Sequence, residues 1–459
     1  MKASRHTFFA RYLAVIGVLL VLLILSRIGE QLVRADSIVA FVSTGFLAPF
    51  TVSVNTSTNR IYVLNSLSSN VTIINGTDNS TATVAAGASP SAVAVNSATN
   101  KIYVANLNSA NVTVIDGNNN ATATVATGVG SPRAIAVNSV TNKIYVANDN
   151  SNNVTIIDGA NNSTTGVVVG TNPVAVAINS ATNKIYVANS AGASVTVIDG
   201  ASNTTSTVSV GANPHAFAVN TETNKVYVAC GASVTVIDGR DNSMLTVMEG
   251  SIPGAIAVNP VTNKVYFSNQ ADSTVVVIDG ATNTILSIPV AVSTGAVTVN
   301  PLTNKIYVCN PTSSFDRGTV TVIDGASNST NIIPFRGAFS GSSISVNTAT
   351  NMIYVADGRN LHVLVIDGSL PFPILPSVSG QVTSPTGVGL RNVKVSVTDG
   401  RGVIHTATTS SFGFYMLDNL TMVPLETYLV TVSSRAYRFS PQTISLTGQL
   451  TNVDFVGLE

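Results

Sequence analysis

Three sets of side chains in this sequence have types and spacings that bear on chemistry. The first is a row of cations, Arg60, Lys101, Lys143, Lys184, Lys225, Lys264 and Lys305. Seven positive charges gathered on one face would attract an anionic polymer. The second is a row of carboxylates, Asp116, Asp158, Asp199, Asp238, Asp279, Asp324 and Asp367. The third stands at one fixed offset in a recurring phrase and reads Phe50, Ser91, Arg133, Val174, His215, Gly254, Gly295 and Ser342. It offers one histidine, one arginine and no carboxylate, short of a general acid–base pair or a multi-ligand metal site. His215 alone reads as a rim residue. The stretch Asn148 to Asn153 is rich in Asn and Asp but lacks the several carboxylates of a strong calcium loop. No catalytic residue, metal site or cofactor is expected.

The elements that position these residues come from a phrase of about forty residues. Its clearest copy runs from Val95 to Asn106 and then Val112 to Gly117. The tyrosine in it recurs at Tyr62, Tyr103, Tyr145, Tyr186, Tyr227, Tyr266, Tyr307 and Tyr354, at spacings of 41, 42, 41, 41, 39, 41 and 47 residues. A fixed period of this size marks an array of one supersecondary unit. Each copy reads as four short strands punctuated by Asn, Asp and Gly. Asx turns are expected at Asn96 to Asn100, and a positive φ at Gly117 after Asp116. A four-stranded unit cannot bury both faces alone, whereas units packed around an axis can. Small residues such as Ala92 and Ala94 suit the crowded innermost strand. The eighth copy stops at Asp367-Gly368 without a fourth strand, and Ser37 to Val42 is an orphan strand before the first copy. The expectation is an all-β chain: an eight-bladed β-propeller over 37–368, closed by the N-terminal strand, with seven blades as the alternative.

On that reading Lys101 starts the strand beside the one that Asp116 ends. Antiparallel pairing then sets the two charges side by side, and likewise around the array. Exposed pairs of this kind leave little net field. The loops after the first and third strands share one face and hardly vary. Those after the second and fourth vary, the longest running from Pro311 to Gly318. Function sits preferentially on such loops. The candidate binding residues are Arg133, His215, Phe315, Asp316 and Arg317, facing a protein or glycan ligand.

Charged residues are only 10% of the 459, and the formal net charge is zero. A polyanion finds no field here, so nucleic acid is not an expected partner. Lys2, Arg5 and Arg11 precede an apolar run from Tyr12 to Leu25, and Val33-Arg34-Ala35 suits a signal peptidase. Residues 1–35 are therefore expected to be a signal peptide, with an uncleaved membrane anchor as the alternative. Either places the rest outside the cytoplasm: secreted, periplasmic or at the cell surface. Cys230 and Cys309 fall at positions offset by one residue in the strand, so they point to opposite faces and are not expected to pair.

The strings Thr99 to Asn106 and Val114-Ile115-Asp116-Gly117 resemble the YVTN family of β-propeller repeats, which occurs in microbial surface-layer and other exported proteins and is similar to lactonase-type propellers. The resemblance covers the array and implies a fold and an exported setting, with no catalytic motif. Two copies depart from it, at Met352, where Lys or Arg is expected, and at Asn75, where Asp is usual. Beyond a proline-rich linker at 369–376, Ser379 to Val382, Val393 to Val397, Ser411 to Tyr415 and Tyr428 to Val432 resemble, in their order, a carboxypeptidase regulatory-like (transthyretin-like) domain. A small β-sandwich is expected over 377–459, as a spacer or contact module. The leading functional expectation is a non-catalytic binding or scaffolding protein. A lactonase-like hydrolase and a self-assembling surface-layer protein are the alternatives.

Overall fold

The computed structural model describes residues 36–45, 48–128, 130–249, 252–270, 272–290, 293–312, 318–335, 340–341, 343–369, 377–398, 402–417, 427–445, 449–450 and 453–458. The expected leader at 1–35 and the linker beyond residue 369 lie outside them. Every regular element described is a β-strand. No described helix is long and apolar enough to cross a membrane. The chain divides into two compact units, Asp36–Leu370 and Pro371–Glu459.

The described residues of the first unit form eight four-stranded antiparallel sheets. The second sheet is typical, with strands a (Pro90–Asn96), b (Lys101–Asn106), c (Asn111–Asp116) and d (Thr122–Ala126) side by side in that order. The eighth sheet takes strands a to c from Ser343–Asn347, Met352–Asp357 and His362–Asp367. Its strand d is Ser37–Ser43, which runs antiparallel to strand c with Ser37 opposite Asp367 and Ser43 opposite His362. Strands b and c carry Val, Ile and Tyr on both faces and are buried on both, whereas strand d of the second sheet buries only Val125. The apolar clusters consequently lie between sheets. Tyr103, Ala105, Val112 and Val114 of the second sheet pack on Ile135, Ile144, Val146 and Ile157 of the third. Strand a of each sheet lies beside strand a of the next, and the first lies beside the eighth. Tyr354, Ala356, Val363 and Val365 accordingly pack against Val52, Ile61, Val63 and Ile74.

Two polar ties cross seven of the seams between neighbouring sheets, and one crosses the eighth, at the end where strand a meets strand b. The buried Asn55 donates from Nδ2 to Asn100 Oδ1 at 2.8 Å, and Asn96 to Asn142 at 2.8 Å. The tie repeats sheet after sheet to Asn300 and Asn351, at 2.9 Å. An eighth runs from Asn347 to Asn59 at 2.7 Å, joining the last sheet to the first. The second tie corrects the sequence reading of the charges. Lys101 and Asp116 are strand partners as expected. The ammonium, however, donates across the seam to Gly159 O of the third sheet at 2.8 Å. Lys143, Lys184, Lys225 and Lys264 likewise reach Gly200, Gly239, Gly280 and Gly325, and Arg60 reaches Gly117. The aspartates are occupied by their own turns: Asp116 Oδ1 accepts the Asn118 N–H at 2.8 Å, an Asx turn. Such backbone donors hold the Asp199 and Asp279 carboxyls below their usual range, with Lys184 and Lys264 as lesser causes.

Gly117 also differs from expectation. Its backbone is not left-handed; Asn100 (φ 52°) and Asn120 (φ 62°) are. The glycine is needed because a Cβ there would sit 2.3 Å from Asn100 Oδ1 and 2.7 Å from Asn100 O. Cys230 and Cys309 are buried free thiols.

One seam contains a buried ion pair. Asp36, at the foot of the strand that completes the eighth sheet, places Oδ1 2.6 Å from Lys305 Nζ and accepts the Tyr307 hydroxyl on Oδ2 at 2.9 Å. The two charged side chains are 2% and 6% exposed. Burial raises the Asp36 carboxyl above its ordinary 3.8, the Lys305 and Tyr307 contacts opposing the shift.

The second unit has two four-stranded sheets. One pairs Ser377–Thr383 with Phe414–Leu417, Gln449–Leu450 and Phe455–Val456. The other orders Ile404–Thr408, Lys394–Thr398, Thr427–Ser433 and Gln442–Ser445. Val378, Val382, Val395, Val397, Tyr415, Tyr428, Val430 and Phe455 fill the space between them. Alternation places these residues inward and Phe414 and Met416 outward.

Two outcomes follow for Asp36. Asp36→Ala strips a buried ammonium of its carboxylate and should cost about 3 kcal/mol in urea unfolding, whereas the double variant with Lys305→Met should recover most of that loss. A carboxyl whose folded pKa is raised binds its proton more tightly folded than unfolded. Its contribution to stability is thus fullest below pH 3.8 and is lost as pH rises through the folded value. The stability difference between the wild type and Asp36→Asn should fall over that window, and a difference that rises with pH would refute the assignment.

Candidate functional site

At the opposite end of the sheets from these ties, strand a opens with a repeated distortion. Pro90 pairs with Asn106 and Ala92 with Ala105, which leaves Ser91 as an extra residue in a β-bulge. The same shift occurs at Phe50, Arg133 and Val174, each directly after a proline. Proline lacks the N–H a regular ladder would use there, and a bulge re-aims the side chain it carries. Four of the residues aligned from the sequence are therefore bulge residues, and the structure brings these four together. Phe50, Ser91, Arg133 and Val174 line one cavity of about 350 Å³ with Ser66, Ser89, Pro90 and Leu107. Ser66 and Leu107 come from the varying loops after strand b, so the cavity opens on the face expected from loop variation.

Its polar groups are few. Arg133 Nη1 lies 3.3 Å from Asp149 Oδ2, the arginine side chain 53% and the aspartate 10% exposed. Ser91 Oγ donates to Pro132 O at 2.8 Å, which fastens the second sheet to the third. Phe50 (48% exposed) and Leu107 supply apolar surface. The site thus offers a partly neutralised guanidinium beside an apolar surface with hydroxyls. That arrangement favours reversible contact with a flat or ring-bearing group. The sequence reading missed the carboxylate here. The pairing of Pro132 with Asn148 sets Asp149 opposite Ser131, whose carbonyl accepts the Asp149 N–H, and the long Arg133 side chain reaches Asp149 diagonally from the bulge.

The other candidates fall elsewhere. His215 is held by its own neighbourhood, Nδ1 being 3.0 Å from Asn213 O and Nε2 3.0 Å from Pro253 O of the next sheet. It fastens a seam and does not line the cavity. Phe315, Asp316 and Arg317 lie outside the described residues, as does Ser342. In the Asx-rich loop the Asn148 amide donates to Asn153 Oδ1 at 2.7 Å and Thr155 Oγ1 at 2.9 Å, so those oxygens serve the sheet. A further carboxylate, the buried Asp357, accepts from Asn360 Nδ2 at 2.6 Å and Ser340 Oγ at 3.3 Å and stands 3.7 Å from His362 Nε2. It occupies the position that asparagine holds at the end of strand b in the second sheet. Among the described residues no group of three His, Cys, Asp or Glu is placed to hold a metal ion.

Because the Arg133 guanidinium is half-exposed, a double-mutant cycle of Arg133→Ala and Asp149→Ala should return a coupling below about 1 kcal/mol. Thermal unfolding of the four proteins measures this. A larger coupling would make the pair structural and remove it from the site.

No curated protein matches the sequence. Among solved structures, Kuenenia stuttgartiensis hydrazine synthase is similar in fold, with a TM-score of 0.50 at 17% identity over 72% of this chain and 98% of that one. At that identity the likeness concerns fold alone. The family described as carboxypeptidase regulatory-like domain matches residues 377–457. The two-sheet unit beginning at Ser377 is therefore a carboxypeptidase regulatory-like domain.

Proposed function

We propose that the first unit is a closed eight-bladed β-propeller of YVTN-type repeats, and that the protein is an exported, non-catalytic binding or scaffolding module. It would work at or outside the cell surface, with its variable-loop face meeting a protein or glycan. The tie from Asn347 to Asn59 and the seating of the first strand a beside the eighth support closure. The basic head and apolar run before Asp36 support export. The observation that carries the binding reading is the cavity lined by Phe50, Leu107 and Arg133. It lies where the copies of the repeat differ, and residues there answer to something other than sheet packing. An Arg–Asp pair with serine hydroxyls lacks the nucleophile-and-base geometry of a hydrolase, which favours binding over turnover. The C-terminal domain serves as a spacer or second contact.

A glycan array and a surface-protein extract, each probed with the full chain and with Phe50→Ala/Leu107→Glu, test the reading. Phe50 is exposed and Leu107 is half-buried on a loop, so the fold should persist, checked by circular dichroism. A ligand retained by the wild type and lost at least tenfold by the variant supports the site. Equal retention by both places recognition on another surface.

A further inference from the structure

The seam that contains Asp36 shows what its counterparts lack. Lys305 and Tyr307 are two residues apart on one strand, so their side chains leave the same face. The Asp36 carboxylate bridges them, 2.6 Å from the ammonium and 2.9 Å from the hydroxyl. The same Lys-x-Tyr pair faces the next sheet at five other seams, from Lys101 and Tyr103 to Lys264 and Tyr266. In each, the ammonium donates to a glycine carbonyl across the seam. In each, the tyrosine is fully buried and its hydroxyl has no protein partner. A buried hydroxyl left unmatched carries its whole desolvation cost, and the large majority of buried side-chain polar groups in native structures have a partner. Five in register indicate a common partner.

We propose that each of these five seams binds one buried water molecule between the lysine ammonium and the tyrosine hydroxyl, at the position that the Asp36 carboxylate takes beside Lys305. Charge selects water over an anion. The Lys101 seam already includes the Asp158 carboxylate of the next sheet, which, after burial, is what pushes the Tyr103 hydroxyl up to about 12. One cation and one carboxylate balance, so a neutral guest adds no unmatched charge. The Lys305 seam shows the alternative: there Asp36 joins Asp367, and its carboxyl is raised, by burial first and by Asp367 last. A buried water needs two or more polar partners, which the ammonium and hydroxyl supply.

The test is a crystal structure of the full chain at a resolution that orders solvent, together with one of Asp36→Ala. The expected result is five single peaks between the Lys and Tyr pairs of the wild type, and a sixth beside Lys305 in the variant. Dry seams, or anomalous peaks in them after a bromide soak, overturn the proposal. Urea unfolding of Tyr145→Phe gives an independent reading. A hydroxyl that holds a water loses that contact on substitution, and the folding equilibrium constant should drop roughly three- to tenfold. A hydroxyl without a partner is a burden, so an unchanged or larger constant in the Phe variant also overturns the proposal.

Discussion

The structure of the first unit depends on the side-chain hydrogen bond that one asparagine gives another across each seam. The donor, Asn96 in the second sheet, closes its own turn by accepting the Ala98 N–H at 3.1 Å and sends Nδ2 to Asn142 in the third. The acceptor must stand in the left-handed region so that its amide oxygen faces back, and all eight acceptors do, with φ from 51° to 56°. Asparagine tolerates that backbone better than other residues with a side chain. It also carries both a donor and an acceptor on one short stem. Aspartate would lose the donor and glycine both. The acceptor's amide and carbonyl in turn press on the Asp-Gly turn of their own sheet, and for this reason Gly117 has no room for a Cβ. A single tie thus sets residue type at three positions of the repeat: the donor asparagine, the acceptor asparagine and the glycine.

The two departures from the repeat sit on opposite sides of one seam. Each sheet's leading cation crosses to the glycine after the next sheet's aspartate. In the eighth sheet Met352 stands in place of that cation, and the turn it faces belongs to Asn75-Gly76 of the first. Met352 instead packs on the cluster of Val54, Ile61, Val63 and Ile74. Asn75 still closes its turn by accepting the Thr77 N–H at 3.1 Å. What has gone is the charge on both sides together. A carboxylate beside an apolar methionine would lack its cross-seam counterion, so a neutral amide is the consistent partner. The seam joining the first and last sheets is the apolar one of the set, and the Asn347–Asn59 tie provides its polar register.

Much of this was legible in the residues. The tyrosine period, the strand boundaries and the orphan N-terminal strand follow from patterns that repeat or from a strand visibly missing. The direction of the lysines did not. Sequence spacing fixes register within a sheet, so Lys101 opposite Asp116 was correct for Cα positions. Which seam a long side chain crosses depends on the angle between sheets, which no spacing records. Asp36 was equally hidden, because it occurs once and its partner Lys305 is 269 residues away. The bulges at Phe50, Ser91, Arg133 and Val174 had a visible signal in the preceding prolines, and the pairing of Arg133 with Asp149 follows only once the bulge is placed.

The division between a uniform end and a varied end of the sheets is a consequence of where the ties fall. The asparagine and lysine ties all lie at the a–b turns and the turns beyond strand c, and each tie couples residues of two sheets. A change there must be matched in a neighbour, as Met352 and Asn75 are, so single substitutions are penalised. At the other end each bulge residue projects from its own hairpin and takes few partners in the next sheet. Ser91 and His215 still reach the proline carbonyls of adjacent sheets, whereas Arg133 pairs within its own hairpin. Positions like Phe50, Leu107 and Arg133 can therefore change singly without loosening a seam. On the proposed reading, recognition would fall at this end of the sheets, where the backbone is held from elsewhere and fewer side chains tie one sheet to the next.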